Sequence, residues 1–305
     1  KPEAIAEGFL YKGTSNMLVG EPGGGKSTIA LDISLCLSGG CPIFGFYPVS
    51  KPQNVYYLSL EGSYFEMLER IRMMKERIDF NPDNFCVDCF EILDAQSIPQ
   101  INRLIEKIRN WKIPDWIFID PAYMAVRGGL SKDEPASAFV QFIENLKRTF
   151  GCSVFFTHHP TKQSYSRDGD AINKDDDFYG SIWIKAHVDV SWRLKYLGKK
   201  YMPVLQNKKS RGLGVTDEIQ LEFDVESYTC TAINDPDEMV AIGRIRDFLI
   251  GCKKSSKNTD TYEISRCAKV SVSRIKHLKS AHHFDDLVNF GKGPKNKTLW
   301  VFDGV

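Results

Sequence analysis

The chain has 305 residues and a net charge of +1 at pH 7, so any affinity for a polyanion must come from local patches and not from a global field. That length suits one large domain and a small one, with a sizeable core. No apolar run reaches the roughly 18 to 20 residues of a membrane span. The opening Lys1-Pro2-Glu3-Ala4 carries neither an apolar leader nor an initiator methionine, as expected of a portion of a longer protein.

From residue 15 to about 230 short apolar runs alternate with helical patterns, the signature of an α/β fold with a largely parallel sheet. Asn16-Met17-Leu18-Val19 reads as a buried strand, and Lys26 to Leu37 as the helix after it. A second strand, Val55 to Leu60, precedes a helix at 64–77. A helix at 97–111 leads into the strand Trp116-Ile117-Phe118-Ile119, and one at 136–150 leads into Ser153-Val154-Phe155-Phe156. Two polar stretches, 127–135 and 161–177, interrupt the rhythm; the second is long enough to suggest function. Eight cysteines, several inside apolar runs, read as free thiols in a reducing cytoplasm. Cys86-Val87-Asp88-Cys89 has the spacing of a metal or redox pair, but no second pair follows it.

The strongest motif is Gly20-Glu21-Pro22-Gly23-Gly24-Gly25-Lys26-Ser27, which fits G-x-x-x-x-G-K-[ST] throughout, with Thr28 continuing into the helix. Glycines let successive N–H groups turn toward anionic oxygens, and the helix N-terminus adds its dipole. Lys26 is expected to reach the β and γ phosphates of ATP, and the Ser27 hydroxyl to ligate Mg²⁺. Asp120 ends the apolar strand 116–119, the second candidate for the Mg²⁺ shell. Glu61 ends another, where a carboxylate can orient and deprotonate water.

Together these segments resemble the RecA/DnaB/KaiC superfamily, and within it the RepA-type hexameric replicative helicases of plasmids and phages, over about residues 8–225. The resemblance implies a RecA-like core with Glu61 as catalytic base and Asp120 as the Walker B carboxylate. The strand running into Thr157-His158-His159-Pro160-Thr161-Lys162 resembles the one whose tip senses the γ-phosphate; His159 is the candidate sensor and His158 the alternative. The loop at 161–178 takes the position of a channel-lining DNA loop, with Lys162, Arg167 and Lys174 as phosphate contacts offset by Asp168, Asp170 and Asp175 to Asp177. The loop at 127–135 takes the position of the other. Tyr179 stands where the family carries arginine before Gly180-Ser181. Lys209 and Arg211 match a K-x-R element that reaches a neighbouring subunit's nucleotide, and alternate strand residues share a face.

Beyond Asn234-Asp235 the texture changes. Residues 236–305 hold 13 basic against 8 acidic residues. They read as a helix at 238–250, two more at about 262–268 and 271–281, and a hairpin with Gly291 to Lys295 at its tip, a winged-helix outline. Arg274, Lys276 and Lys279 on the third helix are candidate duplex contacts, with docking on a replication protein as the alternative use of the winged helix. The expected architecture is therefore an ATPase domain over 1–235 and a winged helix over 236–305. The function expected first is a ring-forming ATP-driven motor on single-stranded DNA, hexameric as the resemblance implies. The alternatives are a non-translocating ATP-dependent switch, such as a recombinase-like, initiator or loader protein, and the motor part of a primase–helicase.

Overall fold

A computed structural model describes residues 2–89, 93–160, 181–196, 201–233, 245–246, 248–252, 259–268, 275, 289–292 and 298–301. Two compact units span Lys1–Ile233 and Asn234–Val305.

The first unit opens with β1 (Ala4–Ala6) paired to β2 (Leu10–Tyr11). Its centre is a nine-stranded sheet. Six strands run parallel: β3 (Ser15–Val19), β4 (Val55–Ser59), β5 (Phe85–Cys89), β6 (Trp116–Asp120), β7 (Ser153–His158) and β8 (Val190–Tyr196). Then β9 (Pro203–Ser210), β10 (Glu218–Asp224) and β11 (Thr229–Ala232) extend it antiparallel. The spatial order is β11-β10-β9-β8-β3-β7-β6-β4-β5, so β7 lies between β3 and β6. The central strands are buried along their whole length, as covering on both faces requires. On one face α1 (Lys26–Gly39) and α2 (Tyr64–Met74) pack on Leu18, Tyr57, Phe118 and Phe155. On the other, α3 (Ile98–Trp111), α4 (Asp133–Phe150) and α5 (Ile182–His187) pack on Met17, Tyr56, Ile117 and Val154.

Local chemistry sets the helix ends. Ser63 and Glu66 form a reciprocal capping box at the start of α2, and Gly151 closes α4 in the left-handed region with φ 68°. The loop expected to extend to 135 is shorter, because α4 already begins at Asp133. Pro135 is tolerated in a first turn, whose N–H groups have no intrahelical partner, and Asp133 and Glu134 complement the helix dipole. Strand β5 had no sequence expectation. It places Cys86 against one core and Cys89 against the other, and a pair on opposite faces of a strand cannot share a metal or a disulfide. All eight cysteines are unbridged.

In the second unit β12 (Thr259–Asp260), β13 (Asn289–Lys292) and β14 (Thr298–Val301) form an antiparallel sheet, ordered β12-β14-β13, beside α6 (Thr261–Ala268). Trp300 is fully buried and its Nε1 donates to Thr261 Oγ1 at 3.1 Å. Arg274, Lys276 and Lys279 lie outside the described residues. No described helix is long and apolar enough to cross a membrane.

Candidate functional site

At the carboxyl end of β3 the chain turns through Gly20 to Gly25 into α1. Gly24 N donates to Glu21 O at 3.0 Å, and a Cβ on Gly24 would sit 3.0 Å from that same carbonyl oxygen. Gly25 caps α1 at φ 83°, a conformation side chains disfavour. The glycines expected from the motif are therefore required by the geometry of the turn at these two positions.

Lys26 is buried beneath the loop. Its Nζ donates to Gly20 O and Glu21 O, each at 2.8 Å, and lies 3.2 Å from His159 Nδ1. An ammonium can only donate, so Nδ1 accepts and the imidazole proton sits on Nε2. Burial, then the Lys26 charge, holds the His159 pKa below its ordinary value, keeping the ring neutral. Burial likewise lowers the Lys26 pKa, opposed by the charges of Asp120, Glu21 and Glu61.

Asp120 is buried at the tip of β6 and accepts three hydroxyl hydrogen bonds: from Ser27 at 3.2 Å, Thr157 at 2.5 Å and Tyr57 at 2.8 Å. Two hard oxygen ligands, Ser27 Oγ and the Asp120 carboxylate, adjoin the phosphate loop, a donor set that suits Mg²⁺ with phosphate and water completing its shell. Among the described residues no group of three or more His, Cys, Asp or Glu could hold a metal alone. Glu61 follows β4, where Leu60 N donates to Asp120 O at 2.7 Å and so fixes the two strand tips together. Glu61, Asp120, Lys26, Ser27 and His159 line one cavity of about 610 Å³, a size suited to a small-molecule ligand.

Sequence reasoning missed three members of this site. Tyr57 and Thr157 orient Asp120 from β4 and β7; a threonine ending the apolar run Val154-Phe155-Phe156 was the one available signal. Tyr123 lies in the short 3-10 turn after β6, with its ring 5.2 Å from that of His159. Burial, then the Glu61 charge and a hydrogen bond to Glu61, raise its pKa.

The remaining candidates lie elsewhere. Lys209 and Arg211 flank the end of β9, where Ser210 pairs with Val190 at the start of β8, whereas Arg193 pairs with Val19 beside the phosphate loop. At about 3.3 Å per strand residue they lie on the order of 15 Å from that loop, toward the amino-terminal ends of the parallel strands. Arg211 pairs with Asp189 at 3.4 Å, and Lys209 Nζ donates to the Lys185 carbonyl. In the 127–135 segment Arg127 pairs with Asp94 at 3.0 Å. Lys162, Arg167 and Lys174 lie outside the described residues.

Comparison with known proteins places this geometry. No curated protein matches the chain. Residues 1–165 match the family model described as an AAA domain, more than half of the chain. Among solved structures, the ATPase domain of G40P is similar at 14% identity with a TM-score of 0.54, covering 73% of this chain and 86% of that one. A RadB recombinase structure is similar at 16% identity with a TM-score of 0.49, covering 73% and 92% respectively. With its glycine loop, buried lysine and strand-tip carboxylates, the chain belongs to that AAA-domain family and shares its P-loop fold with the G40P ATPase domain.

Proposed function

We propose that this protein is a Mg²⁺-dependent, ATP-hydrolysing motor that assembles as a ring and translocates on single-stranded DNA. The observation that carries the reading is the separation of Lys209 and Arg211 from the chain's own phosphate loop. Two cations on an accessible strand end, too far to serve their own site, suit a neighbouring subunit's nucleotide. In trans they stabilise the charge of phosphoryl transfer, a contribution of about 10³ to 10⁵ in rate.

Within one subunit Lys26 holds the β and γ phosphates and Glu61 orients and deprotonates the attacking water. Mg²⁺, when bound, would neutralise phosphate charge. Ser27 offers a ligand to it, and Asp120 is held in place by Tyr57 and Thr157. His159 accepts from Lys26, so a γ-phosphate that takes over that ammonium donor frees the ring. Lys162, Arg167 and Lys174 on the loop at 161–178 are the proposed DNA contacts. The basic excess of residues 236–305 favours a second reading, a switch whose carboxyl-terminal winged helix docks on duplex DNA through Arg274, Lys276 and Lys279 without unwinding it.

The deciding experiment measures ATPase rate with and without single-stranded DNA on protein sized by light scattering. Stimulation together with a multi-subunit mass under ATP supports the motor; a flat response, or stimulation by duplex alone, supports the switch. Arg211→Ala is expected to abolish turnover alone and to regain part of it when mixed with wild-type subunits. An active pure mutant refutes the finger.

A further inference from the structure

A second cavity, of about 600 Å³, adjoins the other side of the phosphate loop and shares Gly23, Gly25 and Thr28 with the first. Its remaining wall is aromatic: Tyr196 ends β8, Tyr201 precedes β9, Phe223 lies on β10 and Tyr228 lies in the turn before β11. The first cavity is bordered by Glu61, Asp120, Lys26 and His159; the second, among its described lining residues, has no charged, amide or imidazole side chain.

The wall is fixed to the loop it faces. The Tyr196 hydroxyl donates to Gly24 O at 3.3 Å, and a Cβ on Gly25 would meet that hydroxyl oxygen at 3.4 Å. Cys230, in the same wall, donates its backbone N–H at 2.8 Å to Asp32, which is buried in α1. Tyr201 and Tyr228 both adopt positive φ, 72° and 57°, a costly conformation for bulky residues. Phe223 N donates to Tyr201 O at 2.8 Å, and the Phe223 ring meets that of Tyr228 edge-on at 5.9 Å. The strained backbone is thus braced from both sides, and the rings are presented as a preformed surface.

We infer that this aromatic cavity is the nucleoside subsite, and that it holds the base by its face without reading its edge. The inference rests on the proposed use of a nucleoside triphosphate by the neighbouring cavity. A triphosphate seated on the loop must direct its sugar and base out of one side, and the carboxylate-lined side is reserved for the γ-phosphate and water. Every base has a π-face, so stacking on tyrosine and phenylalanine accepts purines and pyrimidines alike. Discrimination by the edge needs fixed donors and acceptors, such as side-chain amides or carboxylates, and the described residues of this wall supply neither. The ligand class is therefore nucleoside triphosphates in general.

The test is calorimetric binding, to the full chain with Mg²⁺, of ATP, GTP, CTP, UTP and inorganic tripolyphosphate. Wild-type protein is expected to bind the four nucleotides within about tenfold of one another, and each more tightly than tripolyphosphate. Tyr228→Leu and Tyr201→Leu should weaken all four on the order of tenfold and leave tripolyphosphate binding unchanged, which also shows that the loop remains folded. Tyr228→Phe and Tyr201→Phe keep the ring faces and should bind as wild type does. A preference above about a hundredfold for one base, or loss in the Phe variants, overturns face-only recognition. Tripolyphosphate binding as tight as nucleotide binding overturns the subsite while leaving the phosphate-loop reading intact; binding of neither ligand overturns both.

Discussion

Asp120 and Asp88 make a natural pair. Both are buried carboxylates near the carboxyl ends of parallel strands, and both accept a tyrosine hydroxyl, from Tyr57 at 2.8 Å and Tyr56 at 2.7 Å. Because Tyr56 and Tyr57 are adjacent on β4, they point to opposite faces of the sheet, and so do the acids they hold. Asp88 lies on edge strand β5 and meets Lys107 of α3 at 2.7 Å, so its charge is neutralised within the fold. Among the described residues, the Asp120 carboxylate hydrogen-bonds only to hydroxyls, from Ser27, Thr157 and Tyr57, and no cation pairs with it directly, which leaves its negative charge available beside the phosphate loop. A strand-end acid is thus made structural or functional by what the opposite face offers it.

The sharpest way to break this comparison is to neutralise each acid in turn. Asp120→Asn is expected to lower ATP turnover about a hundredfold or more, while Asp88→Asn should leave turnover within about twofold and lower the melting temperature; phosphate release and thermal melts read the two effects. Glu61→Gln should retain nucleotide binding, measured by calorimetry, and lose about 10² to 10⁴ in turnover; unchanged turnover removes Glu61 from the mechanism.

A third buried carboxylate sharpens the contrast. Among the described residues, Asp32 in α1 meets neither a cation nor a hydroxyl, only Cys230 N–H at 2.8 Å and the Cys36 thiol at 3.6 Å. Burial pushes its pKa up to about 7. Since the unfolded carboxyl titrates near about 3.9, the folded state binds more protons between these values, and stability falls as pH rises through that window. Asp32→Asn should therefore melt several degrees higher than wild type at pH 8 and no higher at pH 4. Equal slopes of melting temperature against pH would sink this account.

The orienting tyrosines should show the smaller asymmetry. Tyr57→Phe removes a hydrogen bond to Asp120 and is expected to cost a few-fold in turnover; Tyr56→Phe should alter only stability, by about 1 kcal/mol. Smallest is His159. Its depressed pKa means the unfolded ring protonates first as pH falls, so its contribution is present above about pH 6.5 and is lost on acidification toward the folded value. His159→Gln should flatten the melting curve slightly over that acid range.

Much of the site was legible in the chain. The spacing from Gly20 to Ser27 fixes a turn of glycines, a lysine and a hydroxyl whatever surrounds it, because the backbone there must use φ values and close approaches that only glycine tolerates. The apolar runs ending in Glu61, Asp120 and His159 also declared themselves, since a strand buried on both faces must be apolar until it emerges. Tertiary structure alone decided the rest. That Tyr57 and Thr157 converge on Asp120, that Asp88 is neutralised by Lys107, and that four aromatic residues from Tyr196 to Tyr228 face the phosphate loop all depend on which strands lie side by side. Local sequence sets the period of each element, but lateral order in a sheet is set by long-range packing, and it is that order which brings distant side chains to one point.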